Sequence, residues 1–69
     1  MDKLTAGEAY LAGKLALPPG YGVEMDADLM ELRRPDGSLV AVFSTGGAAP
    51  AAVLRVAEED YRRYGRSSA

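Results

Sequence analysis

The 69-residue chain contains no cysteine, no histidine and no tryptophan. Without cysteine it can form neither a disulfide nor a thiolate metal site, and without histidine it lacks the commonest transition-metal ligand. It also lacks the side chain that most often transfers protons in catalysis, so acid–base and nucleophilic chemistry is left to carboxylates, lysines, tyrosines and hydroxyls. We therefore expect a protein that is not an enzyme and that binds no cofactor or metal.

Long hydrophobic runs are absent as well. No apolar stretch approaches the roughly 18 residues of a membrane-spanning helix. The segment Met1-Asp2-Lys3-Leu4 has neither the charged nor the apolar region of a secretory signal. We expect a cytoplasmic protein that does not contact a membrane.

The chain length allows a single domain, residues 1–69, with residues 1–4 and 66–69 expected to fray. A domain of this size buries only about 60% of the surface that its unfolded chain exposes. Such small domains are usually stabilised by disulfides, a metal, oligomerisation or very good packing. The composition excludes the first and disfavours the second, so we expect a homodimer.

The first helix is predicted from a capping box. In Thr5-Ala6-Gly7-Glu8 the Thr5 hydroxyl can accept from the Glu8 N–H, while the Glu8 carboxylate can accept from the Thr5 N–H. The pattern indicates a helix over about 6–16, with Leu4, Leu11 and Leu15 on one side. Pro18-Pro19-Gly20 ends it.

Two strands are predicted from apolar alternation. Residues 22–26 alternate, but the apolar parity changes after Ala27. Because a strand cannot change parity without exposing its apolar face, a turn or a bulge is required near Ala27-Asp28. We favour a turn followed by a strand over about 29–34, and one long bulged strand is the alternative.

The tetrapeptide Arg34-Pro35-Asp36-Gly37 is typical of a hairpin with a type I turn and a glycine bulge. The strand that follows, residues 38–44, is apolar on both sides. Its predicted faces are Leu39, Ala41 and Phe43 on one side, and Val40 and Val42 on the other. Apolar residues on both faces favour a strand that is covered twice or that lies at an interface.

The second helix is predicted over about 48–64, with Pro50 in its first turn and Gly65 at its C-cap. Its apolar stripe at helical spacing consists of Val53, Leu54, Ala57, Tyr61 and Tyr64.

The order helix, strand, strand, strand, helix predicts an α+β fold. We expect a small single domain with a three-stranded antiparallel meander and both helices packed on one face. The outer strands of such a sheet have open edges. Pairing of edges or faces across a two-fold axis would cover them, and Val40 and Val42 are the candidate contact residues. The predicted function is a protein-interaction or regulatory module that associates with itself or with an unidentified protein.

The alternative function is nucleic-acid binding by the end of the second helix, where Tyr61, Arg62, Arg63, Tyr64 and Arg66 alternate aromatic and basic side chains. Such a patch can contact phosphates and stack on bases. The order of elements also resembles that of double-stranded RNA-binding domains. Their lysine-rich helix start is absent here, and the acidic strands oppose a phosphate backbone. The competing interpretation places the tyrosines in the core and the arginines at a solvated helix end.

Two further motifs predict ligands only weakly. Asp26-x-Asp28, with Glu24 and Glu31 nearby, offers oxygens to a hard cation but does not match an EF-hand. The segment 44–47, Ser-Thr-Gly-Gly, precedes a helix but lacks the lysine of a P-loop. We interpret the first as a polar strand face and the second as a tight turn.

Overall fold

A computed structural model describes residues 4–65. Its strands form one antiparallel sheet in the order β1-β2-β3, which confirms the predicted α+β meander. Residues 1–3 and 66–69, for which fraying is expected, lie outside the described residues. The elements are α1 (Ala6–Leu11), β1 (Gly22–Asp26), β2 (Leu29–Arg33), β3 (Leu39–Ser44), α2 (Pro50–Asp60) and a π-helical turn (Tyr61–Gly65).

The capping box at the start of α1 is confirmed. The Glu8 N–H donates to the Thr5 hydroxyl at 3.2 Å, and the Thr5 N–H donates to the Glu8 carboxylate at 2.9 Å. Satisfying both amides stabilises a helix of only six residues.

The end of α1 corrects the predicted helix over 6–16. Gly13 adopts φ +73°, a conformation that glycine tolerates best. Its N–H donates to the Tyr10 carbonyl at 3.1 Å, and the Lys14 N–H donates to the Ala9 carbonyl at 2.8 Å. These two bonds form a Schellman motif, which ends the helix at Leu11.

Early termination leaves Leu15 beyond the end of α1, so the predicted grouping of Leu4, Leu11 and Leu15 on one side of the helix does not form. The buried residues of the helix include Ala6 and Ala9, whereas Leu11 is 75% exposed. The small residues allow close approach to the loop after β3. A Cβ on Gly7 would lie 3.0 Å from the Cβ of Thr45.

The turn between β1 and β2 is the predicted one. Asp26 pairs with Leu29 and Met25 with Met30, so only Ala27 and Asp28 connect the strands. The alternative of one long bulged strand is thereby excluded. Because the turn contains two residues, the residues that face each other, such as Met25 and Met30, have opposite parity, which explains the change in the apolar alternation.

The β2–β3 hairpin also follows the sequence prediction. The Gly37 N–H donates to the Arg34 carbonyl at 2.8 Å, and Gly37 has φ +90°. The Arg34 N–H in turn donates to the Ser38 carbonyl at 2.9 Å. Asp36 accepts from the Ser38 N–H at 2.8 Å and stabilises the turn further.

A β-bulge corrects the predicted faces of β3. Leu32 pairs with Ala41, but the next residue, Arg33, pairs with Leu39, which leaves Val40 as the extra residue. Val40 packs against the buried cluster of Tyr21, Leu32 and Ala57, whereas Val42 is 47% exposed. The predicted common face of Val40 and Val42 is therefore wrong, because a bulge shifts the alternation by one residue.

The core lies between the sheet and the two helices. Met30 and Leu32 of β2 are fully buried, as are Val53 of α2 and Ala6 of α1. Both helices therefore pack on the same face of the sheet, as expected. Fully burying a side chain such as Met, Leu or Val contributes about 1.5–3 kcal/mol, so these few side chains supply much of the stability.

The C-terminal helix differs from the prediction at both ends. It begins at Pro50, and its last turn, from Tyr61 to Gly65, is π-helical. The wider turn changes which residues face the core. Tyr64 is accordingly 53% exposed instead of lying on the buried stripe. The surroundings of Gly65 that would define a C-cap lie beyond the described part of the chain.

The backbone at Ala27 generates a stability prediction. Its φ of 54° lies in the left-handed region, which costs a residue with a Cβ roughly 1–2 kcal/mol. We expect Ala27→Gly to raise the free energy of unfolding by about 1 kcal/mol, measured by urea denaturation. Asp28→Gly is the control, because Asp28 has no positive φ and should gain nothing. A larger gain from Asp28→Gly would contradict the assignment.

Candidate interaction surfaces

The sheet has one face that the helices leave uncovered, which we call the open face. Its apolar members, Leu29, Leu39 and Val42, are each close to half exposed, at 46%, 46% and 47%. The pairing of the strands places Glu24, Glu31 and Arg33 on the same side. The open face thus combines a small apolar area with a group of charged side chains.

Arg33 pairs with two of the carboxylates on the open face. Its Nη2 donates to the Glu31 carboxylate at 2.7 Å, and its Nε lies 3.5 Å from Glu24 Oε1. Its Nη1 donates to the Gly37 carbonyl at 2.8 Å. The hydrogen bond to Glu31 raises the pKa of Arg33 above its ordinary value. The group stays charged and keeps its side chain against the sheet.

The outer edge of β3 is open. Within residues 4–65, β2 is the only strand beside β3. The Thr45 N–H donates to the Asp28 carbonyl at 2.8 Å, so Asp28 and Thr45 form a hydrogen-bonded pair at the end of the β2–β3 ladder. Hydrogen-bonded and non-hydrogen-bonded pairs alternate along an antiparallel ladder, so Glu31 and Val42, three positions away, form a non-hydrogen-bonded pair. The N–H and C=O of Val42 therefore point away from β2, toward the edge.

The two edge strands are protected to different extents. β1 carries Glu24 and Asp26, and the Tyr10 hydroxyl donates to the carbonyl of Val23 at 3.2 Å. β3, with the sequence Leu-Val-Ala-Val-Phe-Ser, has no charge and no proline. Charged residues, prolines and covering groups are the features that usually prevent edge pairing. Apart from the bulge at Val40 and the Gly47 and Ala48 amides on the Ser44 carbonyl, β3 has none of these among residues 4–65.

A buried carboxylate lies at the end of α2, on the helix side of the sheet. Asp60 is only 7% exposed. Arg34 donates to it twice, from Nε and Nη2, both at 2.8 Å, and the Tyr21 hydroxyl donates at 2.5 Å. The Arg34 pair is bidentate, which is the stronger geometry for an ion pair. The three residues connect α2, the β2–β3 hairpin and the segment before β1.

These contacts shift two pKa values in opposite directions. The Arg34 guanidinium holds the pKa of Asp60 below its usual range, although burial opposes that shift. Burial and the hydrogen bond to Asp60 raise the pKa of Tyr21 to about 12. Asp60 is therefore ionised and Tyr21 protonated at neutral pH. Their hydrogen bond requires these two states, because the protonated Tyr21 hydroxyl donates to the ionised Asp60 carboxylate.

Sequence reasoning missed this cluster. Asp60 lies three residues after Ala57 and seven after Val53, which places it on the buried side of α2. That spacing is the available signal, since a charged residue on an apolar stripe requires a partner. Nothing local identifies Arg34 or Tyr21 as that partner.

The predicted Tyr–Arg patch is divided between two environments. Tyr61 is half-buried and meets Tyr21 edge to face, with ring centroids 6.2 Å apart at 82°. Tyr64 is exposed, and the guanidinium carbon of Arg34 lies 4.6 Å from its ring centroid. Arg62 and Arg63 are exposed. The last member of the predicted patch, Arg66, lies outside the described residues.

The two weaker motifs have structural explanations. Across residues 4–65, no three histidine, cysteine, aspartate or glutamate side chains come close enough together to hold a metal ion. In the loop after β3, the N–H groups of Gly47 and Ala48 donate to the Ser44 carbonyl, at 3.3 and 3.0 Å. The Gly47 N–H also contacts the Ser44 hydroxyl at 3.1 Å. These amides close a turn instead of pointing at an anion.

Two shallow grooves mark the surface. One, of about 310 Å³, lies between α1 and the loop at Thr45-Gly46. The other, of about 350 Å³, lies between Pro18-Pro19 and the side chains of Tyr61 and Arg62. Both are at the small end of the range for ligand sites. Neither is lined by Asp60, Arg34 or Tyr21.

Comparison with known proteins identifies no relatives: no family model, no curated protein and no solved structure matches the chain. Of the helices within residues 4–65, none has the length and apolar character needed to cross a bilayer.

The Asp60 cluster generates a prediction about stability. We expect Asp60→Asn to lower the free energy of unfolding by about 2–3 kcal/mol, because Arg34 loses its carboxylate and Tyr21 loses a charged acceptor. Urea denaturation at neutral pH measures the loss. Glu59→Gln, at the exposed neighbouring position, should change it by less than about 0.5 kcal/mol.

The pH dependence of the same variant provides a second check on that assignment. Because the pKa of Asp60 is lowered in the folded state, its contribution is complete above about pH 4. It disappears as the pH falls further through the lowered value. A wild-type advantage that is the same at acidic and neutral pH would contradict the role of the ionised carboxylate.

Tyr21 generates a prediction at alkaline pH. Its raised pKa favours the folded state below about pH 10, and that contribution is lost as the pH rises toward 12. Subtracting the tyrosinate absorbance titration of Tyr21→Phe from that of the wild type should isolate one group with a midpoint of about 12. Circular dichroism establishes that both proteins stay folded. A midpoint near 10, the ordinary value, would be inconsistent with the hydrogen bond to Asp60.

Proposed function

We propose that this protein is a non-catalytic protein-interaction module that self-associates through the open edge of β3. One observation carries the proposal: an edge strand without charge or proline directs the N–H and C=O of Val42 outward. An exposed edge of this kind is a template for pairing with another strand. The backbone supplies the hydrogen bonds of such a contact, and the side chains supply its specificity.

The surroundings of the edge support a contact at this place. Leu39 and Val42 are both nearly half exposed on β3 itself, and Leu29 lies on the next strand. A strand that pairs with β3 would cover part of this apolar surface. A small domain with few fully buried large side chains also gains stability by enlarging its core across an interface.

The alternative, nucleic-acid binding by the C-terminal helix, has weaker support and stays a prediction. Tyr61 packs against Tyr21, so its ring has a structural role already. Tyr64 lies beside Arg34, whose charge is largely compensated by Asp60.

The location that we propose for this module is the cytoplasm, which a chain without cysteine fits.

The proposal predicts the effect of a charge at the open edge. We expect the wild-type protein to dimerise and Val42→Lys to weaken dimerisation at least tenfold, because edge lysines oppose strand pairing. Sedimentation equilibrium measures both constants. Leu11→Lys is the matched control, since Leu11 is exposed on α1, on the helix side of the sheet. Val40→Lys is unsuitable because Val40 packs against the core.

Circular dichroism of Val42→Lys should be unchanged, which separates loss of association from loss of fold. If Val42→Lys dimerised as tightly as the wild type, the β3 edge would not be the contact. If the wild type were monomeric at the highest attainable concentration, self-association itself would be excluded.

A further inference from the structure

The geometry of β3 restricts how a second copy can pair with it. Building on the proposed self-association, we infer that two chains pair antiparallel across a two-fold axis that passes beside Val42. Val42 of one chain then lies directly opposite Val42 of the other. The two sheets join into one sheet of six strands.

The hydrogen-bonding pattern of β3 selects Val42 as the residue beside the two-fold axis. Residues whose backbone groups point to the open edge form the hydrogen-bonded pairs with the next strand. Val42 is such a residue and lies in the regular part of β3. Toward the start of the strand, the bulge at Val40 distorts the backbone. Toward its end, the Ser44 carbonyl already accepts from Gly47 and Ala48.

The charge distribution favours antiparallel over parallel pairing. The end of β3 lies beside the β1–β2 turn, where Asp28 bonds to Thr45 through its backbone and Asp26 is adjacent. Among residues 4–65, neither aspartate forms an ion pair. Parallel pairing would place the two aspartate turns at the same end of the interface, separated by the two β3 strands, where like charges repel weakly. Antiparallel pairing puts them at opposite ends of the interface.

The antiparallel arrangement does not depend on attraction between the hairpins and the acidic turns, because Arg33 is already paired with Glu31 and Arg34 with Asp60. A two-fold arrangement also closes the contact at two copies, which prevents an open-ended assembly.

Single-cysteine variants test the register directly, because the chain has no cysteine of its own and every disulfide must join two copies. In the inferred pairing the Cα atoms of the two residues 42 are about 5.5 Å apart, within the range for a disulfide of about 4.4–6.8 Å. The two residues 44 are about 14 Å apart and the two residues 39 about 20 Å apart, too far to be joined. Leu39 is the matched control, since its exposure equals that of Val42 within one per cent.

The experiment oxidises Val42→Cys, Leu39→Cys and Ser44→Cys under the same conditions and follows dimer formation on non-reducing gels. We expect Val42→Cys to cross-link at least tenfold faster than the other two, and the three to react at similar rates in denaturant. Equal rates for Val42→Cys and Leu39→Cys in the folded state would overturn the antiparallel register. So would slow cross-linking of Val42→Cys in a protein that sedimentation shows to be dimeric. A monomeric wild type would instead remove the proposed self-association, and the two failures are thus distinguishable.

Discussion

The contact between Asp60 and Arg34 determines how the parts of this small fold are held together. Asp60 lies at the end of α2, Arg34 begins the β2–β3 hairpin, and Tyr21 precedes β1. One carboxylate therefore connects three segments that are distant in sequence. Because a buried charge without a partner is strongly destabilising, this arrangement is favourable only when all three are in place. It ties the C-terminal helix to the hairpin end of the sheet.

The β-bulge at Val40 has a comparable influence on the surface. By inserting one residue, it turns Val40 into the core and leaves Leu39 and Val42 on the open face. The core thus gains the partly buried side chain of Val40, and the exposed side keeps two apolar residues beside an unpaired edge. The same local irregularity therefore supports the packing of the monomer and defines the surface that we propose for association.

Much of the fold could be predicted because its signals are local. The capping box at Thr5, the turn at Ala27-Asp28 and the hairpin at Arg34–Gly37 each depend on side chains and φ values within four residues. Predictions failed where tertiary contacts or chain geometry intervened. The first helix ends early because Gly13 forms a Schellman motif, and Tyr64 leaves the apolar stripe because the last turn is π-helical. The candidate site was predicted in part: the third strand was identified, but its exposed valine was not separated from its buried one.

The sequence by itself determined the order of the elements, the antiparallel meander and the absence of thiol and imidazole chemistry, since these follow from composition, periodicity and turn residues. Only the tertiary structure decided that Asp60 is buried, that Arg34 and Tyr21 are its partners, and that Val42 rather than Val40 faces outward. The physical reason is that a side chain's partner depends on which segments the fold brings within a few ångströms. A one-residue shift in strand register changes that outcome without changing the local pattern.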